Sequence, residues 1–153
     1  TPASHAWIPG QRSSPYEMGL GWTVNLDKQG YFVGRRALER EHREGSSWQL
    51  AGLEIDWEGL EREYAAVGMP PQVPASAVRG SIPVYAAPRQ VGYASTSTWS
   101  PVLKKYIALV HLQQPFYAPG TKVEIEVTVE HHRRKSPATV VTLPFYDPEW
   151  KKK

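Results

Sequence analysis

The sequence predicts a mainly β protein: a small antiparallel barrel of Greek-key or jelly-roll type, with about six or seven strands and one short surface helix. Three observations predict it. Residues 121–129 alternate strictly, with Val123, Ile125, Val127 and Val129 on one face and Lys122, Glu124, Glu126 and Thr128 on the other. Period two with β-branched residues on the inner face marks a strand with one side in a core and one in water. Residues 106–112 (YIALVHL) are too few and too uniformly apolar for an amphipathic helix, and fit a strand buried on most of its surface. Gly and Pro turn signals, Pro119-Gly120 among them, separate short apolar segments along most of the chain.

Taken in order, residues 1–14 are a lead-in rich in Pro, Ser and Gly, with Trp7 and Ile8 as anchors. In 21–26 (GWTVNL), Trp22, Val24 and Leu26 alternate as in a strand, and 27–30 is a turn. Residues 35–44 are dense in helix formers, Glu39 stands four before Arg43, and Gly45 suits a left-handed stop. Phe32, Ala37 and Leu38 are the expected docking face of this surface helix. Residues 47–55 read as a strand with Trp48, Leu50, Leu53 and Ile55 inward and a phase change, read as a bulge, at Gly52. Residues 56–80 form an excursion from the barrel, with a short acidic helix near 58–67 ahead of Pro70, Pro71 and Pro74. Residues 81–85 return as a strand in which Pro83 signals an edge or a strand start, and 90–94 is its hairpin partner. STSTWSP (95–101) is expected to be a hydroxyl-rich turn ended by Pro101. Residues 131–137 should connect the long strand to 138–143, after which 144–146 closes the barrel. The expected organisation is therefore a lead-in at 1–14, a barrel domain at 15–146 and a tail at 147–153.

With 153 residues, 41% hydrophobic and 22% charged, the composition is that of a globular domain large enough for a real core. Zero cysteines exclude disulfides and thiolate chemistry, and a cytoplasmic location is the expectation. A net charge of +3, part of it in Lys151, Lys152 and Lys153, gives no case for nucleic acid, and no apolar run approaches a membrane span. Thr1 stands where an initiator methionine would, so the chain is expected to belong to a longer one. Catalytic patterns are scarce: there is no phosphate loop, HExxH, GxSxG or EF-hand sequence. His131 and His132 are adjacent and His111 lies in an apolar run without a neighbouring ligand, so solvated and packed histidines are expected rather than metal ligands. The basic run His132-Arg133-Arg134-Lys135 reads as a charged turn, and the hydroxyls of 95–100 read as turn caps rather than nucleophiles. Trp22 and Trp48 are in strand phase and read as core. Trp99 and Trp150 fall at a turn and in a tail, where an aromatic ring can stack on a ligand or a neighbouring domain.

Three blocks carry a resemblance. SPYEMGLGWTVNLDKQGYFVGRRAL (14–38) resembles the P-x-E-x-G-L-G-W-x-V-x-L-D-K…F-x-G-R-x-A-L block of the glycine-cleavage T-protein (aminomethyltransferase) family. VGYASTSTWSPVLKKYIAL (91–109) is similar to its V-G-x-x-T-S-G-x-x-S-P-x-L-x-x-x-I-A-L block, and PGTKVEIEV with ATVVTLPFY (119–127 and 138–146) to its closing block. Order and spacing match across nearly the whole chain, with Thr98 standing where the family commonly has Gly. The resemblance implies the C-terminal barrel domain of a tetrahydrofolate-dependent one-carbon transferase that closes a folate site. Catalysis would lie in upstream folate-binding domains, and a lipoyl carrier protein would be a partner. Arg12 is too close to Glu17 to be the ligand-contacting arginine that the family carries ahead of its first block. The folate-contacting aromatic or basic position just past L-P-F-Y falls on Trp150; no catalytic residue or metal ligand carries over. Folate-dependent demethylases, sarcosine- and dimethylglycine-oxidising enzymes and a noncatalytic partner-binding β domain remain as alternatives.

Overall fold

A computed structural model describes residues 12–74 and 76–152. Trp7 and Ile8, the expected anchors of the lead-in, lie outside them. The chain divides into two compact units, Thr1–Ser47 and Trp48–Lys153.

The second unit is a closed six-stranded antiparallel barrel: β1 (Trp48–Ile55), β2 (Val78–Ala86), β3 (Arg89–Ser100), β4 (Lys105–Gln113), β5 (Lys122–Val129) and β6 (His132–Val141), in the spatial order β1-β4-β3-β2-β5-β6. Strands β2, β3 and β4 form a meander and β5 returns to lie beside β2, which is a Greek key. The interior is filled by alternate residues of the strands: Ala51, Leu53 and Ile55 from β1, Ala108, Val110 and Leu112 from β4, Val123 and Ile125 from β5, Ala138 and Val140 from β6. Phe116 and Tyr117, from the loop between β4 and β5, pack against this core.

The alternating strand, the apolar strand and the Pro119-Gly120 turn fall where the sequence puts them. Several other expectations need correction. Residues 95–100 are not a turn. They continue β3 after a bulge at Ser95, where the register to β4 slips between Ala94 and Thr96. The slip keeps the core side filled by turning Ser97 inward, 1% exposed. Gly52 makes no bulge: β1 runs in unbroken register with β4 through it. Gly52 lies under the Phe145 ring, which an added Cβ would approach to 2.7 Å, so the residues after β6 fold back over β1. The β5–β6 connection is two residues rather than seven. Glu130 and His131 both have positive φ, 47° and 64°, as a tight type I′ hairpin requires. Thr98, in the family's glycine position, sits in β3 with no positive φ, so a side chain is accommodated there.

Helix α2 (Trp57–Ala65) gives the molecule a second helix. Asp56 caps it by accepting from the Gly59 amide at 3.2 Å. The excursion does not leave the barrel: Val67, Met69 and Val73 pack with Leu60, Tyr64 and Val129 over one barrel end. The seam below it is short. β2 and β5 pair only at Val84 with Ile125 and Tyr85 with Glu124, because Pro83 has no amide to donate further along.

The first unit carries helix α1 (Arg35–Glu44), closed by Gly45 with φ 83° as expected. Residues 21–26 form no strand: Gly21–Thr23 is a 3-10 turn and Val24 is extended without a partner strand among the described residues. Trp22, expected in a core, is 83% exposed. Of the expected docking face, Phe32 and Leu38 are half-buried while Ala37 is exposed. Arg35 holds this unit's loop, donating to the carbonyls of Leu26 (3.0 Å), Lys28 (3.0 Å) and Gly30 (2.8 Å) and pairing with Glu39 at 2.7 Å. Glu41 accepts from both Ser14 (2.5 Å) and Ser46 (2.6 Å).

Candidate functional site

The barrel end under α2 brings several polar and aromatic side chains of the second unit together. Helix α2 approaches β6 closely because residue 59 is glycine: an added Cβ would meet the Pro137 ring at 2.6 Å. The Asp56 amide donates to the Pro137 carbonyl at 2.8 Å, and Arg134 pairs with Glu63 at 3.4 Å. Trp57 meets Trp99 edge-on, with ring centroids 5.1 Å apart. Beneath them the hydroxyls of Ser97 and Tyr106 are 3.1 Å apart.

Two cavities flank Tyr106. One, about 570 Å³, is lined by Trp57, Lys104, Lys105, Lys122 and Thr139 among others. Its charges are partly matched, since Lys105 pairs with Glu54 at 2.5 Å and Lys122 donates to the Thr139 hydroxyl at 2.7 Å. The other, about 320 Å³, opens at the β2–β5 seam between Leu60, Val73, Ile82, Ser97 and Val127. Glu126 reaches its rim and accepts from the Tyr85 hydroxyl at 3.2 Å. Partial burial, and then the Glu126 carboxylate, raise the Tyr85 pKa above its ordinary value, because both disfavour a phenolate.

The hydroxyl cluster is structural. Ser95 donates to the Leu109 carbonyl at 3.3 Å, Thr96 to the Val78 carbonyl at 2.9 Å, and Ser100 accepts from the Leu103 amide at 3.3 Å. Ser97 faces a phenol rather than a base, so this arrangement can bind and orient but does not make a nucleophile. The basic run is dispersed by strand alternation and its charges are paired: Arg133 with Glu126 (3.7 Å), Arg134 with Glu63 and Lys135 with Glu124 (3.7 Å). His131 and His132 are exposed at the β5–β6 turn, and the His111 ring stacks on Tyr93 at 5.4 Å. Among the described residues no group of three or more His, Asp or Glu could hold a metal ion.

Trp150 lies in a 3-10 turn, Glu149–Lys152, and is 67% exposed. The Lys151 ammonium is 5.7 Å from the Trp150 ring and 5.9 Å from Tyr146, giving two aromatic faces and one cation at the end of the chain. The sequence reading missed Trp57, Ser97 and Tyr106 as site-lining residues. Tyr106 carried one weak signal, a hydroxyl at the head of an otherwise apolar strand.

Residues 65–147 match the glycine cleavage T-protein C-terminal barrel domain. Over 134 residues, 88% of this chain, the sequence is 32% identical to the aminomethyltransferase of Prochlorococcus marinus (strain NATL2A) and 35% identical to that of Synechococcus sp. (strain RCC307). The Bacillus pumilus (strain SAFR-032) aminomethyltransferase is 31% identical over 87% of the chain. This chain spans only 30%, 32% and 31% of those relatives' lengths. The fold is shared with the crystal structure of glycine cleavage system aminomethyltransferase T from Bartonella henselae, with a TM-score of 0.63 and 18% identity over 87% of this chain and 32% of that one. No helix among the described residues is long and apolar enough to cross a membrane. With a closed Greek-key barrel and a match covering more than half of its residues, this chain belongs to the glycine cleavage T-protein C-terminal barrel domain family.

Proposed function

We propose that this chain is the closing barrel of a cytoplasmic, tetrahydrofolate-dependent aminomethyltransferase. It walls one side of a folate site whose reactive groups reside in upstream folate-binding domains of the same polypeptide. The observation that carries the reading is the extent of similarity: it runs over nearly all of this chain but only about 30% of each aminomethyltransferase. An unshared remainder of that size has room for the reaction centre. Tetrahydrofolate, when bound, supplies the amine nitrogens that take up a one-carbon unit, and a lipoyl carrier protein delivers that unit.

Within this chain, Trp150 is the residue we assign to folate contact. Its exposed indole face suits stacking on a flat heteroaromatic ring, and the adjacent Lys151 ammonium suits a carboxylate. Calorimetric titration with 5-formyltetrahydrofolate tests the assignment. The isolated chain should bind no tighter than about millimolar, because one wall does not make an enclosed pocket. Joined to the preceding portion of the Bacillus pumilus relative, the chain should bind folate, and Trp150→Ala should weaken binding by about 5- to 100-fold, the loss expected for one stacked ring. Micromolar binding by the isolated chain that disappears with Trp150→Ala would make this barrel a folate site in its own right and overturn the closing role.

A further inference from the structure

The first unit has the surface of a piece rather than a whole. Helix α1 buries none of its residues, and Leu20, Trp22, Tyr31 and Val33 are 46%, 83%, 72% and 94% exposed. An apolar set of this size concentrated in a short stretch marks a contact surface. Its sequence pattern points the same way, although Gly21–Thr23 stands in a 3-10 turn. Trp22, Val24 and Leu26 alternate with Thr23 and Asn25 in the pattern of a strand with one apolar face, and Val24 is already extended at φ −89° and ψ 111°. A strand is stable only beside another, and the described residues of this unit contain none. The loop behind it is nonetheless held in shape: the Arg35 guanidinium ties the carbonyls of Leu26, Lys28 and Gly30 to α1. The segment thus has the pattern of a strand without a sheet, and pairing would unwind its 3-10 turn.

We propose that residues 21–26 add as an edge strand to a sheet in the polypeptide that precedes this region in an aminomethyltransferase, with Leu20, Trp22, Tyr31 and Val33 covering that sheet's apolar face. This rests on the reading of the chain as the C-terminal part of such an enzyme. The occupant follows from length: about 70% of each relative lies outside the match, and the matched region is by description C-terminal.

Hydrogen exchange read by mass spectrometry tests it. The probe is a fusion of the full chain behind the part of the Bacillus pumilus aminomethyltransferase that precedes the matched region. In the free chain only the Thr23 and Val24 amides of this stretch are bonded, within a 3-10 turn, and amides of 21–26 should exchange fast; in the fusion they should slow by about 100-fold or more, as ladder amides do. Trp22→Asp with Val24→Asp should abolish that slowing and lower the melting temperature of the Bacillus part, leaving the barrel amides as they were. Equal exchange in fusion and free chain overturns the proposal, as does a Bacillus part that melts at the same temperature with or without residues 12–47 attached. Protection in the free chain that grows with concentration, together with dimer sedimentation, assigns the edge to a second copy and also overturns it. Protection without binding of 5-formyltetrahydrofolate refutes the folate reading alone, and folate binding without protection refutes this proposal alone.

Discussion

Two glycines in adjacent strands should respond to alanine with opposite signs. Gly92 in β3 pairs with Leu112 of β4, and a Cβ built on it falls 2.1 Å from the His111 carbonyl oxygen and 2.7 Å from Leu112 Cδ2. Ordinary contact begins at 3.4 Å, so the methyl intrudes by about 1.3 Å on a backbone atom. A carbonyl inside a ladder cannot swing aside as the end of a side chain can. Strands β3 and β4 must separate, and in a closed barrel that displacement is passed to their neighbours. Overpacking of this kind costs about 1–3 kcal/mol, and a weakened ladder bond adds about 1 kcal/mol. Gly92→Ala should therefore lose about 2–4 kcal/mol, a large share of the roughly 5–15 kcal/mol a domain possesses. Gly80 in β2 has nothing within 4 Å of its Cβ position and no positive φ. Gly80→Ala should gain about 0.4–1 kcal/mol by restricting the unfolded chain. Urea unfolding followed by tryptophan fluorescence and far-UV circular dichroism reads both variants against the parent. A Gly92→Ala protein within about 0.5 kcal/mol of the parent would refute the argument from close strand approach.

Other consequences can be checked on the same protein. Leu53 is fully buried in the barrel interior, so Leu53→Ala should cost about 2–5 kcal/mol in urea unfolding. Ser136 is also fully buried and its hydroxyl has no hydrogen-bond partner among the described residues, so Ser136→Ala should leave stability unchanged or raise it by about 1 kcal/mol. The raised Tyr85 pKa means that the folded protein holds the phenol proton more tightly than the unfolded chain. Its contribution is complete below pH 10.0 and lost as pH rises through the folded value, so Tyr85→Phe should flatten the fall in stability measured above pH 10.0. Arg35→Ala removes the tie on residues 26–30 and should speed limited proteolysis there while leaving cleavage within the barrel unchanged.

Where burial is decided by near neighbours in sequence, the fold was legible. The alternation of 121–129 and the apolar run of 106–112 identify their strands because each side chain's environment repeats along the strand itself. Residues 95–100 were misread because Ser and Thr are ordinary turn formers, whereas here their hydroxyls reach carbonyls on β2 and β4 that local reading does not see. Gly52 looked like a bulge because its explanation, the Phe145 ring, arrives from the far end of the chain. Residues 21–26 have strand alternation without a strand, since alternation records which face seeks burial and pairing needs a neighbour. The site divides in the same way. The proposal of Trp150 rests on a motif resemblance alone, while Trp57, Ser97 and Tyr106 converge only after α2 has docked over the barrel.

The short β2–β5 seam has a cost that the excursion contains. Beyond Val84 and Tyr85, the facing stretches of β2 and β5 have no ladder between them, and an unpaired edge is a template for strands of other molecules. Val73 and Pro74 line the cavity at that seam, with Leu60 and Tyr64 of α2 beside them. The irregular segment therefore covers part of that edge. Clipping or shortening it would leave most barrel contacts intact and yet bare a strand edge open to pairing with other chains.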